Sequence, residues 1–436
     1  MTLTIATARR RFVFLTALRW LPMGLSIPVT VLLAESRGLS LSKIGLVFAA
    51  YSAVALLLEL PTGGLTDAIG RRPVLVLSGL LHAGGLLLVA TAHSLAAFAV
   101  AYALIGAGRA LDSGPLESWY VDAVHAVDPA ADVTPGLSRA AVADGLALSL
   151  GAVLGGVLPA LADGGSTALA LPIYAGAVLG LVNVAAVLAL VTPLGPAGSV
   201  PLRRLLADSV REVPLIVRDT VRLAGRDRTL RLLMAITFLT GTVLSTLELL
   251  GPVRFADLAD SRTDGTAVFG VVMAVSFGAA ALGSALATTA RRLARGSVAA
   301  ATAVLGVLCA SSLGGIALAE TVLLTGTAYA FFYLWNGAGW PLRKQLMHGR
   351  VDASKRATTV SASSFALMLG GITGSIALPL LTDATSLPVG FATAGVLLLV
   401  LAALSARLPA TGRAAGPEPD PDPGPEAASA GSVTVG

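Results

Sequence analysis

The sequence predicts an all-α membrane protein, with twelve transmembrane helices in two pseudo-symmetric six-helix halves. Three observations predict it. Apolar residues fall in runs of about 20, the length that crosses a hydrocarbon core roughly 30 Å thick. Charged residues make up 13% of the 436 and hydrophobic ones 55%, with a mean hydropathy of +0.82, too little charge to clothe soluble domains of this total size. A short charged stretch after the second apolar run also returns, degraded, after the eighth.

Span one, 12–33, comes after Arg9, Arg10 and Arg11; it is too long for the apolar region of a signal peptide, and more spans lie beyond it. Span two, 43–63, runs into "ELPTGGLTDAIGRR", and span three, 73–92, leaves it. Span four, 95–120, carries Arg109, Asp112 and Glu117, and Pro115 bends it. Spans five, 138–161, and six, 168–192, complete an N-terminal half, 1–193. Residues 194–229 form an arginine-rich central loop. Spans seven to twelve, at 230–252, 266–289, 297–318, 321–343, 358–381 and 388–407, make a C-terminal half, 230–407. The tail, 408–436, is rich in Pro, Gly and Ala with four acids; it cannot bury a core, and disorder is expected there.

Basic residues set the orientation. With the N-terminus inside, the inner segments hold 24 lysines and arginines and the outer loops hold four: Arg37, Lys43, Arg254 and Arg262. Both termini are therefore expected in the cytoplasm. The same placement in short loops reads the pI near 9.7 as membrane topology rather than nucleic-acid binding. Cys309 stands alone, which excludes a disulfide framework and a thiolate metal site, and the four histidines lack ligand spacing. No phosphate-binding loop and no nucleophile elbow is present, so ATP use and enzymatic chemistry are disfavoured, and no cofactor or metal is expected. Arginine far outnumbers lysine and alanine is abundant, a composition pointing to a bacterial inner membrane; a monomer in the lipid bilayer is expected.

Two internal repeats support the duplication. Gly63 to Arg72 reads "GGLTDAIGRR" and Gly283 to Arg292 reads "GSALATTARR", with Ala287 in place of the acid and Ala290 in place of the second glycine. Spans five and eleven open on Arg-Ala, carry glycines four apart (Gly151, Gly155; Gly370, Gly374) and end near a proline, a spacing that lets helices approach closely.

The stretch "GGLTDAIGRRPVL" resembles the motif joining helices two and three of the major facilitator superfamily. Gly63, Leu65, Asp67, Gly70, Arg71, Arg72 and Leu75 match; Ala68 stands where a base is usual. Upstream "ELPTG", "GAGRALDSGPLESWYVDAV" and "KRATTVSASS" look like a bacterial subgroup with many drug-efflux members. The resemblance implies a transporter of major facilitator fold over about residues 10–407. It also implies that Asp67 clasps the N-terminus of helix eleven, near Ala357 to Ser361, and that Arg71 reaches an acid at the inner end of span four, where Asp122 lies. Two departures set the chain apart from proton-coupled and antiporter members. Tyr102 stands where an arginine is common in span four, Arg109 coming after the glycines, and Pro159 falls outside the usual glycine-proline pattern of span five.

Charges inside spans are costly, about 2.5–3.5 kcal/mol each on insertion scales, and usually paired or functional. Arg19, Glu59, Arg109, Asp112, Glu117 and Glu248 are such groups. On an ideal helix Arg109 lies within reach of both Asp112 and Glu117. Since the resemblance places helices one, four, seven and ten around a cavity, Arg19, Arg109, Asp112, Glu117 and Glu248 are candidates for substrate contact or proton coupling, with Asp112 first. A static network is the alternative, and Glu59 is read as structural. The run "FFYLWNGAGW" in span ten supplies Tyr333, Trp335 and Asn336, which with Trp20 and Tyr102 are expected to line a cavity for a flat, lipophilic or cationic small molecule. The expected activity is proton-coupled efflux of a small drug or metabolite; the alternatives are nutrient uptake and a transport-inactive membrane sensor or enzyme.

Overall fold

The computed structural model describes residues 3–162, 165–193, 228–348 and 356–408, with the backbone path alone for 60–64, 67, 68, 347, 348 and 356–361. The expected central loop and tail fall almost wholly outside the described residues. Within them the chain is helical, and twelve spans alternate in direction. The N-half contributes Ile5–Ser26 with Thr30–Ser36, Leu41–Ile69, Arg71–Thr91, Leu95–Leu111 with Pro115–His125, Thr134–Val157 and Gly165–Leu190. The C-half contributes Arg228–Leu258, Arg262–Leu293, Val298–Leu318, Val322–His348, Arg356–Ala384 and Leu387–Ala406. Eleven are long and apolar enough to cross a membrane. The remaining one, Val322–His348, is span ten, whose tyrosines, tryptophans and Asn336 lower its hydropathy.

Local chemistry explains the boundaries. Ser40, Ser94, Ser261 and Ser297 each cap a helix N-terminus by accepting a hydrogen bond from the backbone N–H three residues on. Spans one and four are each broken into two helices. Residues 27–29, with Pro28, interrupt span one, and in span four Gly114 takes φ +105° before Pro115 restarts the helix. The twelve alternations put the start of span one and the end of span twelve on one side, the terminal face; the other side is the far face. Cross-links agree. On the terminal face Arg11 donates to the Leu190 carbonyl (2.9 Å) and Trp119 Nε1 to Thr192 (3.0 Å). On the far face Arg37 donates to Val89 (2.9 Å) and Arg254 to Ala319 (2.5 Å).

Glycines place the spans. In the N-half, span five lies on span one through Gly151 and Gly155; a Cβ on Gly151 would sit 2.6 Å from the Leu21 carbonyl oxygen, and one on Gly155 would overlap that of Leu25. In the C-half, span eleven lies on span seven through Gly370 and Gly374, facing the carbonyls of Phe238 and Thr242. The two halves meet along two further glycine seams. Gly156 of span five faces Thr266 of span eight, whose hydroxyl donates to the Gly156 carbonyl (3.0 Å), and Gly45 of span two faces Ser375 and Pro379 of span eleven. Beside the second seam the Ser42 amide donates to Asp383 (2.8 Å). Both seams lie toward the far face. One apolar core runs through both halves, and a separate cluster around Phe12, Trp119 and Tyr120 fills the terminal end of the N-half, with Phe12 and Tyr120 stacked at 4.6 Å.

Candidate transport site

Under the far-face seams lies a cavity of about 330 Å³ walled by both halves. The N-half presents Phe48, Tyr51 and Tyr102; the C-half presents Phe269, Phe277 and Tyr333. Phe48 and Tyr102 lie 4.9 Å apart, Tyr51 and Tyr102 meet edge-on at 6.2 Å, and Phe277 and Tyr333 do so at 6.3 Å. Among the described residues Glu248 is the one carboxyl group on this wall. Its side chain has ample accessible surface, yet it stands ten residues before the end of its helix, about 15 Å from that end by helix rise. The exposure is therefore to the cavity. Tyr51, Tyr102 and Tyr333 share this wall with Glu248.

A second, smaller pocket of about 50 Å³ lies inside the N-half, and Met23, Tyr51 and His82 wall both spaces. Arg19 and Asp112 form a salt bridge across it at 3.0 Å, with side chains 24% and 14% exposed. Trp20 lies under two guanidinium groups, Arg19 at 5.2 Å and Arg109 at 5.6 Å from the ring centre. Asp112 is the C-cap of Leu95–Leu111, where the helix dipole disfavours a carboxylate, so Arg19 is what holds it there. Four buried polar atoms around the pocket lack a protein hydrogen-bond partner: Arg19 Nε, Trp20 Nε1, His82 Nε2 and Asn183 Oδ1. Such atoms are ordinarily satisfied by internal water, and the pocket has room for it. Asp144, also with an unpartnered oxygen, feels both arginines from span five.

At the terminal face, Gly70 takes φ +85° and turns the chain from span two to span three. Arg71 pairs with Asp122 at the end of span four, and Arg72 donates to the Leu188 carbonyl of span six. Leu65 packs with Val74 and Leu111. Gly63 and Asp67 are described by their backbone alone, so the Asp67 side chain, and with it the expected clasp on Ala357 to Ser361, lies outside what is described. In the second copy Arg291 donates to Gln345 of span ten at 3.4 Å, so an arginine reaches the following even-numbered span in both halves, with an amide replacing the acid in one. Ala287 is buried.

A sequence profile described as Major Facilitator Superfamily matches residues 12–337. The chain belongs to the Major Facilitator Superfamily. None of the curated proteins matches the sequence. Solved structures of superfamily transporters share its fold at low identity. The nucleoside transporter NupG superposes with a TM-score of 0.69 at 13% identity, covering 92% of this chain and 97% of that one. The human organic anion transporter MFSD10 (TETRAN) gives 0.60 at 18%, covering 92% and 99%. A peptide transporter, POT, in complex with sulfate gives 0.65 at 16%, covering 91% and 93%. Membership of that family makes this protein a transporter rather than an enzyme.

Within that superfamily fold, the residues singled out from sequence distribute unevenly. Tyr102, Tyr333 and Glu248 wall the central cavity, while Arg19, Trp20, Arg109 and Asp112 wall the N-half pocket. Trp335 and Asn336 do not join Tyr333. At 100° per residue Trp335 stands about 160° around the helix from it, while Asn336 stands only about 60° away and is engaged instead by a neighbour on its own helix. Trp335 stacks on Phe331 at 5.9 Å beside an outer groove, and Asn336 accepts a hydrogen bond from Arg343 at 3.1 Å. Arg109 does not pair with Asp112 and Glu117 as an unbroken helix would have it. The break at Ser113–Gly114 re-aims the second half of span four, Asp112 goes to Arg19, and Glu117 is exposed in the first turn of the next helix. Glu59 is half-buried in span two. Phe48, Tyr51, His82, Phe269 and Phe277 were not foreseen. Helical spacing would have found several of them: Phe48, Tyr51 and Ser52 share one face, as do Phe269, Met273 and Phe277.

Proposed function

We propose that this protein is a secondary active exporter of a small lipophilic compound, driven by inward proton flow. The observation that carries the reading is the central cavity, walled by aromatic and aliphatic side chains of both halves and covered at the far face by the two glycine seams. The placement of lysine and arginine supports a cytoplasmic terminal face, and the arginine- and alanine-rich composition supports a bacterial inner membrane. The far-face seams then separate the cavity from the exterior, and rocking the halves exchanges that closure for one at the cytoplasmic side. Proton coupling is assigned to Asp112. Protonation of its carboxyl removes the charge that Arg19 holds across the break of span four, and so frees span one from span four. The Asp67 clasp belongs to the opposite state, outward-open, and is proposed on the motif alone.

The test is substrate-driven proton flux in proteoliposomes holding the full chain. Export by exchange moves protons opposite to the compound, and Asp112→Asn uncouples the two. Co-directional movement indicates uptake, and flux that is intact and still proton-coupled in Asp112→Asn places coupling elsewhere.

A further inference from the structure

We propose that the central cavity selects a monocation with an apolar aromatic body, a quaternary or protonated aryl amine, with Glu248 as its counter-ion. The proposal deepens the transport reading and rests on it only in taking this cavity as the place the guest enters. Its first ground is a difference between the two spaces. In the N-half pocket charge is met by charge: Arg19 holds Asp112, and Asp144 feels both Arg19 and Arg109. Among the described residues the central cavity has one carboxyl group and no lysine or arginine on its wall, and Glu248 enters no ion pair. His82, the other non-tyrosine titratable group on that wall, feels Arg19 and Arg109 rather than Glu248. A guest that fills the cavity takes the Glu248 carboxylate out of water; a neutral guest leaves it without a partner, which is costly, and a cationic guest pairs with it.

The second ground is the rings. Tyr51, Tyr102 and Tyr333 come from both halves, stand beside Glu248, and carry negative faces that attract cations, most strongly when water is excluded. The third is the hydroxyl groups. Among the serine and threonine hydroxyls on the wall, those of Ser26, Thr30 and Ser245 donate their protons to carbonyls of their own spans, on Pro22, Ser26 and Thr242; Ser52 and Ser375 are the others. What the first three offer a guest is acceptor oxygens. Together with the carboxylate of Glu248, these oxygens favour a guest that donates or carries positive charge and repel an anion.

The experiment uses the purified full-length protein and two probes of one shape, phenyltrimethylammonium and its neutral isostere tert-butylbenzene. Binding is measured by titration calorimetry, and movement in proteoliposomes. The cation is expected to bind about 30-fold more tightly than the isostere. Glu248→Gln is expected to bring the two within about threefold, while Glu248→Asp keeps the preference. The proposal is overturned if the wild-type protein binds the isostere as tightly as the cation, a comparison that needs no variant, or if Glu248→Gln keeps the preference. Movement of the isostere without cation preference would sink this inference and leave the transport reading standing. Cation-selective binding with no movement of either probe would do the reverse.

Discussion

If the halves rock about glycine seams, a side chain placed in one far-face seam should shift the protein toward the state in which that seam is open. Gly156→Val is the perturbation. A Cβ there would overlap the Thr266 carbonyl oxygen and approach the Cα atoms of Ala267 (3.1 Å) and Gly270 (3.2 Å). All three are backbone atoms of span eight, so no flexible side chain can swing aside. The Thr266 hydroxyl would also lose its close approach to the Gly156 carbonyl. Overpacking of this kind costs about 1–3 kcal/mol, all of it levied on the state with the seam closed, which shifts the balance of states by about 5- to 150-fold.

Thiol labelling reads that shift. The one native cysteine, Cys309, is buried and gives little background. Ser52→Cys places a reporter on the cavity wall. A membrane-impermeant thiol reagent applied to the far face should label it slowly in the parent and at least fivefold faster in Gly156→Val. Gly84→Val is the control, because nothing lies within 4 Å of a Cβ there. An unchanged rate in a folded Gly156→Val protein, or an equal rise in the control, would refute the claim that this seam closes the cavity.

The same geometry gives three further expected outcomes. Asp112→Asn removes the salt-bridge partner of Arg19 and should cost about 3 kcal/mol, seen as a lowered Tm; Arg19→Gln added to it should recover part of the loss, giving a favourable coupling term in the double-mutant cycle. Arg71→Ala should cost under about 1 kcal/mol in thermal unfolding, since Asp122 is 48% exposed and the pair joins elements of one half. Gly114→Ala forces a side chain onto φ +105° and should cost about 1–3 kcal/mol while disturbing the Asp112 cap; a Tm equal to the parent would show that the break in span four is not set by that glycine.

The spans were legible because, the polar and aromatic side chains of span ten aside, each is an apolar run of membrane length, and the boundaries were legible because serine caps and glycine turns mark them. Gly151, Gly155, Gly370 and Gly374 announced close packing, and the structure names the carbonyls they approach. Side-chain direction was harder. Composition drew attention to the aromatic run of span ten, but only a rotation count from a known cavity-facing residue separates Tyr333 from Trp335. The break in span four was harder again. Pro115 signals a bend, yet the partner Asp112 takes depends on where Arg19 of another helix stands, and no local pattern encodes that.

The glycine seams also give a register between the halves, and the register bears on what the buried charges are for. The carbonyls met by Gly151 and Gly155 are those of Leu21 and Leu25; those met by Gly370 and Gly374 are Phe238 and Thr242. Leu21 thus corresponds to Phe238. The same register sets Ile236 where the N-half has Arg19, and Val31 where the C-half has Glu248. Ile236 and Val31 are both buried in the apolar core. Each half therefore shows that the other's charge is not needed to pack that position, because an aliphatic side chain does so. A duplicated scaffold that repeats its helix contacts and not its ionisable groups keeps those groups for something other than folding. The division that results, a paired network in one half and a lone carboxylate in the other, is the one expected if proton coupling and guest recognition sit on opposite sides of the cavity that both halves move.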